Sequence, residues 1–264
     1  MKQLMCAIAA TAAGVALADV SSANIVGYST TVIETKNQQQ MVGGTFVSVG
    51  EDYIDIQDIS VTGDPADESA WIKWWDPVAK VYGDRALYVS ELCDENGDAL
   101  VPTRVGWGDA DWIPVEKTFA PGEGFWWGVG KDGCGLTLAG EVVQPATKYI
   151  GRTIATKNQQ QMVINAFPME LDIQSITVEG DPADESAWIK WWNPVTKVYG
   201  DRALYVSELC DENGDALVPT RAGWGDADWI PVEKTFAVGE GFWWGVGKDN
   251  CTLCMPNPFY VEEK

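Results

Sequence analysis

GDPADESAWIKWW, residues 63–75, returns letter for letter at residues 180–192. The return sets an internal offset of 117 residues. From residue 63 to 132 the two copies differ at four positions only: Asp76/Asn193, Ala79/Thr196, Val105/Ala222 and Pro121/Val238. Upstream, TKNQQQMV at 35–42 recurs at 156–163, an offset of 121, so the length change falls where GGTFVSVGEDY shortens to INAFPME. A period this long exceeds the roughly 20–50 residues of a solenoid unit. It is long enough to bury a core of its own, so the chain reads as two tandem modules. Within the quoted stretch, successive side chains of a strand point to opposite faces. Lys73 shares a face with Trp71 and Trp75, which predicts that this face is wet and that Ile72 and Trp74 point inward.

Strand signals dominate the rest of each module. Runs rich in Val, Ile, Thr, Tyr and Trp are broken every eight to twelve residues by Gly, Pro, Asn or Asp, with no sustained helical period. In the first copy the expected strands are 25–34, 39–49, 54–61, 70–75, 85–93, 99–104, 112–119, 124–129 and 136–143. The predicted fold class is all-β: two tandem β-sandwich-like or small-barrel modules after a signal peptide. The corresponding divisions are 1–23 (signal peptide), 24–144 and 145–264. Asn96-Gly97, between two strand-like runs, predicts a two-residue type I′ hairpin turn.

The chain has 18 Lys and Arg against 39 Asp and Glu, a net charge of −21, and no His. Such a surface repels phosphate backbones and anionic lipid, so nucleic acid is not an expected partner. Without His, neither a Ser-His-Asp triad nor a His-ligated metal site can be built. Lys2 followed by the apolar stretch 4–18, with small-x-small sites before Asp19 and Asn24, reads as a signal peptide. The second cleavage site is preferred because a strand-like run starts there. That apolar stretch is shorter than the roughly 20 residues of a membrane span. The expected location is secreted or cell-surface, with the periplasm as the alternative compartment and no membrane span in the mature chain.

GWGDADWIPVEKTFAPGEGFWWGV, preceded by NIVGY and followed by LTLAGEVV, resembles a group of secreted bacterial proteins of unknown function. These share a W-x-x-x-x-x-L-x-P-G-E-G-F-W-like stretch and a closing L-T-L-x-G-E-V strand. The resemblance covers most of the first copy. The second departs from it, ending CMPNPF and starting ATKYIGR. It implies a secreted β module and brings no functional residues with it.

Of 14 Trp, half lie in each copy. In GEGFWWGVG, residues 122–130, alternation puts Phe125, Trp127 and Val129 on one face and Trp126 among glycines on the other. An indole beside a bare glycine strip is a flat platform on which a sugar ring can stack. Trp71, Trp75 and Trp126, with Trp188, Trp192 and Trp243, are therefore the candidate ligand-binding residues, Trp126 and Trp243 each having one ring face open. The competing reading has these indoles covering the glycine strip or filling the contact between the modules. A polysaccharide or glycan is one expected partner and self-association the other, since an exposed apolar patch marks an interface.

Asp94-Glu95-Asn96-Gly97-Asp98 has the oxygen density of a calcium loop, but it lacks the EF-hand spacing and serves equally as a turn. Asp64-Pro65-Ala66-Asp67-Glu68 and Asp109-Ala110-Asp111 read as solvated turns. No metal or cofactor is expected. A glycosidase would need two carboxylates across a groove, for which Glu123 and Asp111 are the candidates; the preferred reading is non-catalytic. Removal of the signal peptide leaves five cysteines. Repeat equivalence and facing predict bridges Cys93–Cys134 and Cys210–Cys251, with Cys254 left over.

Overall fold

The computed structural model describes residues 26–63, 67–180, 184–193 and 195–261. The expected signal peptide, residues 1–23, lies outside them, as do residues 64–66 of the first acidic loop. In the first copy the strands are β1 (Val26–Ile33), β2 (Gln38–Gly43), β3 (Phe46–Val47), β4 (Ile54–Asp55), β5 (Ser60–Thr62), β6 (Asp67–Lys73) and β7 (Trp75–Asp76). They are followed by β8 (Val81–Tyr82), β9 (Ala86–Val89), β10 (Gly106–Gly108), β11 (Thr118–Phe119), β12 (Gly124–Val129) and β13 (Cys134–Val142). The second copy runs through β14 (Tyr149–Ile154), β15 (Gln159–Ile164), β16 (Leu171–Asp172), β17 (Thr177–Glu179), β18 (Asp184–Asn193) and β19 (Val198–Tyr199). It closes with β20 (Ala203–Val206), β21 (Gly223–Gly225), β22 (Thr235–Phe236), β23 (Gly241–Val246) and β24 (Cys251–Pro256). Among the described residues the only helical pieces are single 3₁₀ turns at Ile56–Asp58 and Ile173–Ser175. The chain is all-β.

Each copy repeats one arrangement of antiparallel sheets. In the first, a five-stranded sheet has the order β10-β9-β6-β12-β2, and a smaller one sets β1, β3 and β5 against β13. In the second the orders are β15-β23-β18-β20-β21 and β14-β24-β17. Both sheets of a copy feed one core. Ile72, Phe125 and Trp127 from the larger sheet meet Ile33, Leu136 and Leu138 from the smaller. Ile189, Phe242 and Trp244 meet Ile154 and Leu253 in the same way. The inward phase expected from GFWWGV is observed, since Trp127 and Trp244 are fully buried.

Where the sequence suggests strands over 99–104 and 112–119, the chain runs largely as loops organised by side chains. Gln57 is the hub. Its Nε2 donates to the carbonyls of Trp107 (2.7 Å) and Val115 (3.0 Å), and its Oε1 accepts from Trp107 N (3.1 Å). Gln174 makes the matching three bonds in the second copy. One polar side chain thereby satisfies backbone groups that a strand partner would otherwise take. Asp94 does likewise, its Oδ1 accepting from Asn96 N and Asp98 N. These backbone bonds hold its carboxyl below the usual carboxylate range. The turn here is not type I′. Gly97 has φ +83° whereas Asn96 is not left-handed, and Gly97 N donates to Asp94 O at 3.0 Å. That is a three-residue loop with a glycine bulge, the next most common hairpin solution.

The expected disulfides are not formed: among the described residues none of the five cysteines from Cys93 to Cys254 is bridged to another. Cys134 opens β13 opposite Ile33, with its side chain in the core and Sγ 3.6 Å from Lys131 O. Cys93 lies in the loop after β9, bridged through its backbone to Ala99 and outside that core cluster. Shared apolar facing along the sequence does not bring two residues together when they belong to different layers. The same separation holds for Cys251, buried at the start of β24, and the half-buried Cys210.

Candidate functional site

The six tryptophans chosen from sequence converge in one cluster. Trp126 and Trp243 are buried with Met41 and Met162, and Trp71, Trp75, Trp188 and Trp192 pack around them half-buried. The register explains the gathering. On the outer face of the larger sheet, Trp126 sits between Met41 of β2 and Lys73 of β6. The same face of the second copy covers it. Trp75 meets Trp243 edge-on with ring centroids 5.4 Å apart, and Trp126 meets Trp192 at 5.6 Å, the planes crossing at 88° and 89°. Residues 75 and 192 are repeat equivalents, as are 126 and 243. The contact is therefore reciprocal, the signature of a twofold interface built inside one chain.

The expectation of an open ring face on Trp126 and Trp243 is overturned, because they are 5% and 6% exposed. An aromatic face bounded by glycines is as good a seat for a second sheet as for a sugar, and here the second copy takes it. Met41 closes on Gly241, and Met162 and Ile164 close on Gly124. The indole N–H of Trp126 donates to Tyr82 Oη (2.9 Å) and that of Trp243 to Tyr199 Oη (2.8 Å). Burial pushes both phenols above their ordinary range. Trp71 and Trp188 cover the glycine strip: a Cβ at Gly128 or Gly245 would overlap their six-membered rings. Over those indoles lie the guanidinium groups of Arg85 (4.4 Å) and Arg202 (4.3 Å).

At the rim of this contact the copies part to leave a cleft of about 500 Å³. Trp75 and Lys80 of the first copy face Gln160, Glu185, Trp188 and Arg202 of the second across it. Three of the residues lining the cleft have left-handed backbones without being glycine: Lys80 (φ 58°), Asn158 (φ 59°) and Glu185 (φ 69°). Such backbones are uncommon outside glycine and gather where a fold aims a side chain at a function. Glu185 owes its conformation to a break in register between Asp184 and Trp188, a bulge of the kind that re-aims side chains beside binding sites. Sequence reading missed Gln160, Glu185 and Arg202. A single exposed polar residue carries no signal until the topology sets it beside Trp188.

The remaining candidates separate. Glu123 is engaged by Lys117 (2.8 Å) and accepts from Ala120 N (3.1 Å). Asp111 lies exposed in the turn whose backbone bonds to Asp109, and no contact joins it to Glu123 among the described residues. No group of three or more carboxylates or thiols is placed to hold a metal ion among those residues. No helix there is long and apolar enough to cross a membrane. Comparisons with protein-family models, curated proteins and solved structures give no match.

Proposed function

We propose that the chain is an exported, non-catalytic binding protein that takes a neutral glycan in the cleft between its two copies. The carrying observation is the set of residues with left-handed backbones around that cleft, Lys80, Asn158 and Glu185, which line it together with Trp75 and Trp188. Amides at Gln160 and Asn158 both donate and accept, Glu185 accepts, and Lys80 and Arg202 donate. Vicinal sugar hydroxyls ask for this mixture, and the indoles of Trp75 and Trp188 supply apolar contact. A net charge of −21 disfavours polyanions by long-range repulsion. The segment before residue 24 and the resemblance to secreted β modules support export.

Calorimetric titration of the mature protein with neutral hexasaccharides (cello-, xylo- and mannohexaose) tests the reading. At least one should bind with quenching of tryptophan fluorescence, and Gln160→Ala should weaken binding at this cleft about tenfold. Absence of binding across the panel at millimolar concentration would remove the basis for a glycan seat.

Assembly into a surface coat is the second reading, and one observation favours it. The outer face of β1 leaves Val26 and Tyr28 67% and 76% exposed beside Val32, with no charged residue along the strand. The tryptophan faces, spent within the chain, do not serve that reading.

A further inference from the structure

We propose that the chain carries a second seat of the same kind, related to the first by the internal twofold; this rests on the reading of the cleft as a glycan site. The second seat sets Trp192 and Lys197 of the second copy against Gln39, Glu68, Trp71 and Arg85 of the first. Each of these is the repeat equivalent of a residue lining the first cleft, and each has the same side chain as its counterpart. Identity of letters alone would reflect duplication and nothing more. The shared local geometry and the ring contacts between the copies carry the inference further.

Both halves of the second seat are built as the first is built. Glu68, Lys197 and Asn37 are left-handed at φ 70°, 57° and 58°, against 69°, 58° and 59° for Glu185, Lys80 and Asn158. Asn37 N and Asn158 N each donate to the carbonyl of a β-strand valine, Val129 and Val246, at 2.8 Å. Gly130 N bonds to Ser69 O, and Gly247 N to Ser186 O, both at 2.7 Å. Arg85 lies over Trp71 as Arg202 lies over Trp188. The placement of one copy against the other supports it, because Trp192 is held on Trp126 as Trp75 is held on Trp243. Trp192 also lines a cavity with Gln40 and Met41 of β2, which brings it to the strand that carries Gln39.

Neither Arg85 nor Arg202 has an ion-pair partner among the described residues, and both are exposed, so each can be truncated without opening a core. A ligand longer than the distance between the seats would engage both and gain from effective concentration.

The test is the stoichiometry of calorimetric binding to the intact mature protein, with cellohexaose, xylohexaose and mannohexaose each titrated. Two oligosaccharides per chain are expected for the one that binds. Arg85→Ala and Arg202→Ala should each reduce the count to about one at unchanged melting temperature, and the double variant should lose binding. One site per chain, lowered by Arg202→Ala and indifferent to Arg85→Ala, would overturn the second seat while leaving the first. Failure of all three sugars to bind would sink the glycan reading and the second seat with it.

Discussion

Trp75 and Trp243, 168 residues apart in sequence, meet edge to face with their ring centroids 5.4 Å apart and their planes at 88°. Trp126 and Trp192 repeat the relationship in the opposite sense. Edge-to-face pairs contribute about 0.5–1.5 kcal/mol beyond the area they bury. Trp243→Ala should cost about 3–5 kcal/mol, the range for deleting a buried aromatic side chain. In a double-mutant cycle with Trp75→Ala, the coupling should fall in that 0.5–1.5 kcal/mol range. Additive losses in urea unfolding would show that the two rings do not support each other.

Buried indoles in this fold divide by their N–H groups. Trp107 Nε1 donates to Ile59 O at 2.7 Å, whereas Trp127 Nε1 is buried without an acceptor among the described residues. Trp107→Phe strands a carbonyl and Trp127→Phe removes an unmet donor, while both delete similar volume. The first should therefore destabilise by roughly 1–3 kcal/mol more than the second. Equal losses in chemical denaturation would count against this division.

Alkaline pH should loosen the junction between the copies. Tyr199 and Tyr82 carry phenols raised above 10 by burial. Above pH 10 the unfolded chain releases protons that the folded chain retains. The stabilisation is thus complete below the ordinary tyrosine value and is lost as pH climbs through the raised folded values. Melting temperature should fall beyond pH 10, and tyrosinate absorbance should lag the titration of free tyrosine until unfolding. Normal titration of all eight tyrosines in the folded protein would contradict the burial.

Thiol chemistry gives a further check. With Cys93 and Cys134 in separate layers, the five cysteines from Cys93 to Cys254 should react as free thiols once the protein is unfolded without reductant. Reductant should leave the melting temperature unchanged. A Cys93–Cys134 peptide in a non-reducing digest would require a different arrangement of the loop after β9.

Local pattern was enough for much of this protein. The 117-residue return of GDPADESAWIKWW established two copies, and turn residues between β-branched and aromatic runs established an all-β chain. Alternation in GEGFWWGVG assigned Trp127 to the core and Trp126 to the opposite face, because strand periodicity is a property of neighbouring residues. It also picked out the six tryptophans that cluster. What lies against a face is not local. Whether Trp126 meets solvent, a sugar or Met162 depends on where a segment more than thirty residues away comes to rest, and only the tertiary structure decided that the second copy covers it. Gln57 and Gln174 escaped notice for the same reason, since a lone glutamine becomes a hub only when Trp107 and Val115, or Trp224 and Val232, are brought around it. The cysteines show the limit most plainly: equivalence and facing suggested Cys93–Cys134, yet sharing a face with apolar neighbours does not place two side chains in one layer. Glu185 on its bulge and Arg202 over Trp188 are set by the second copy's own sheet, and the packing of one copy on the other brings Trp75 and Lys80 across from them to form the cleft.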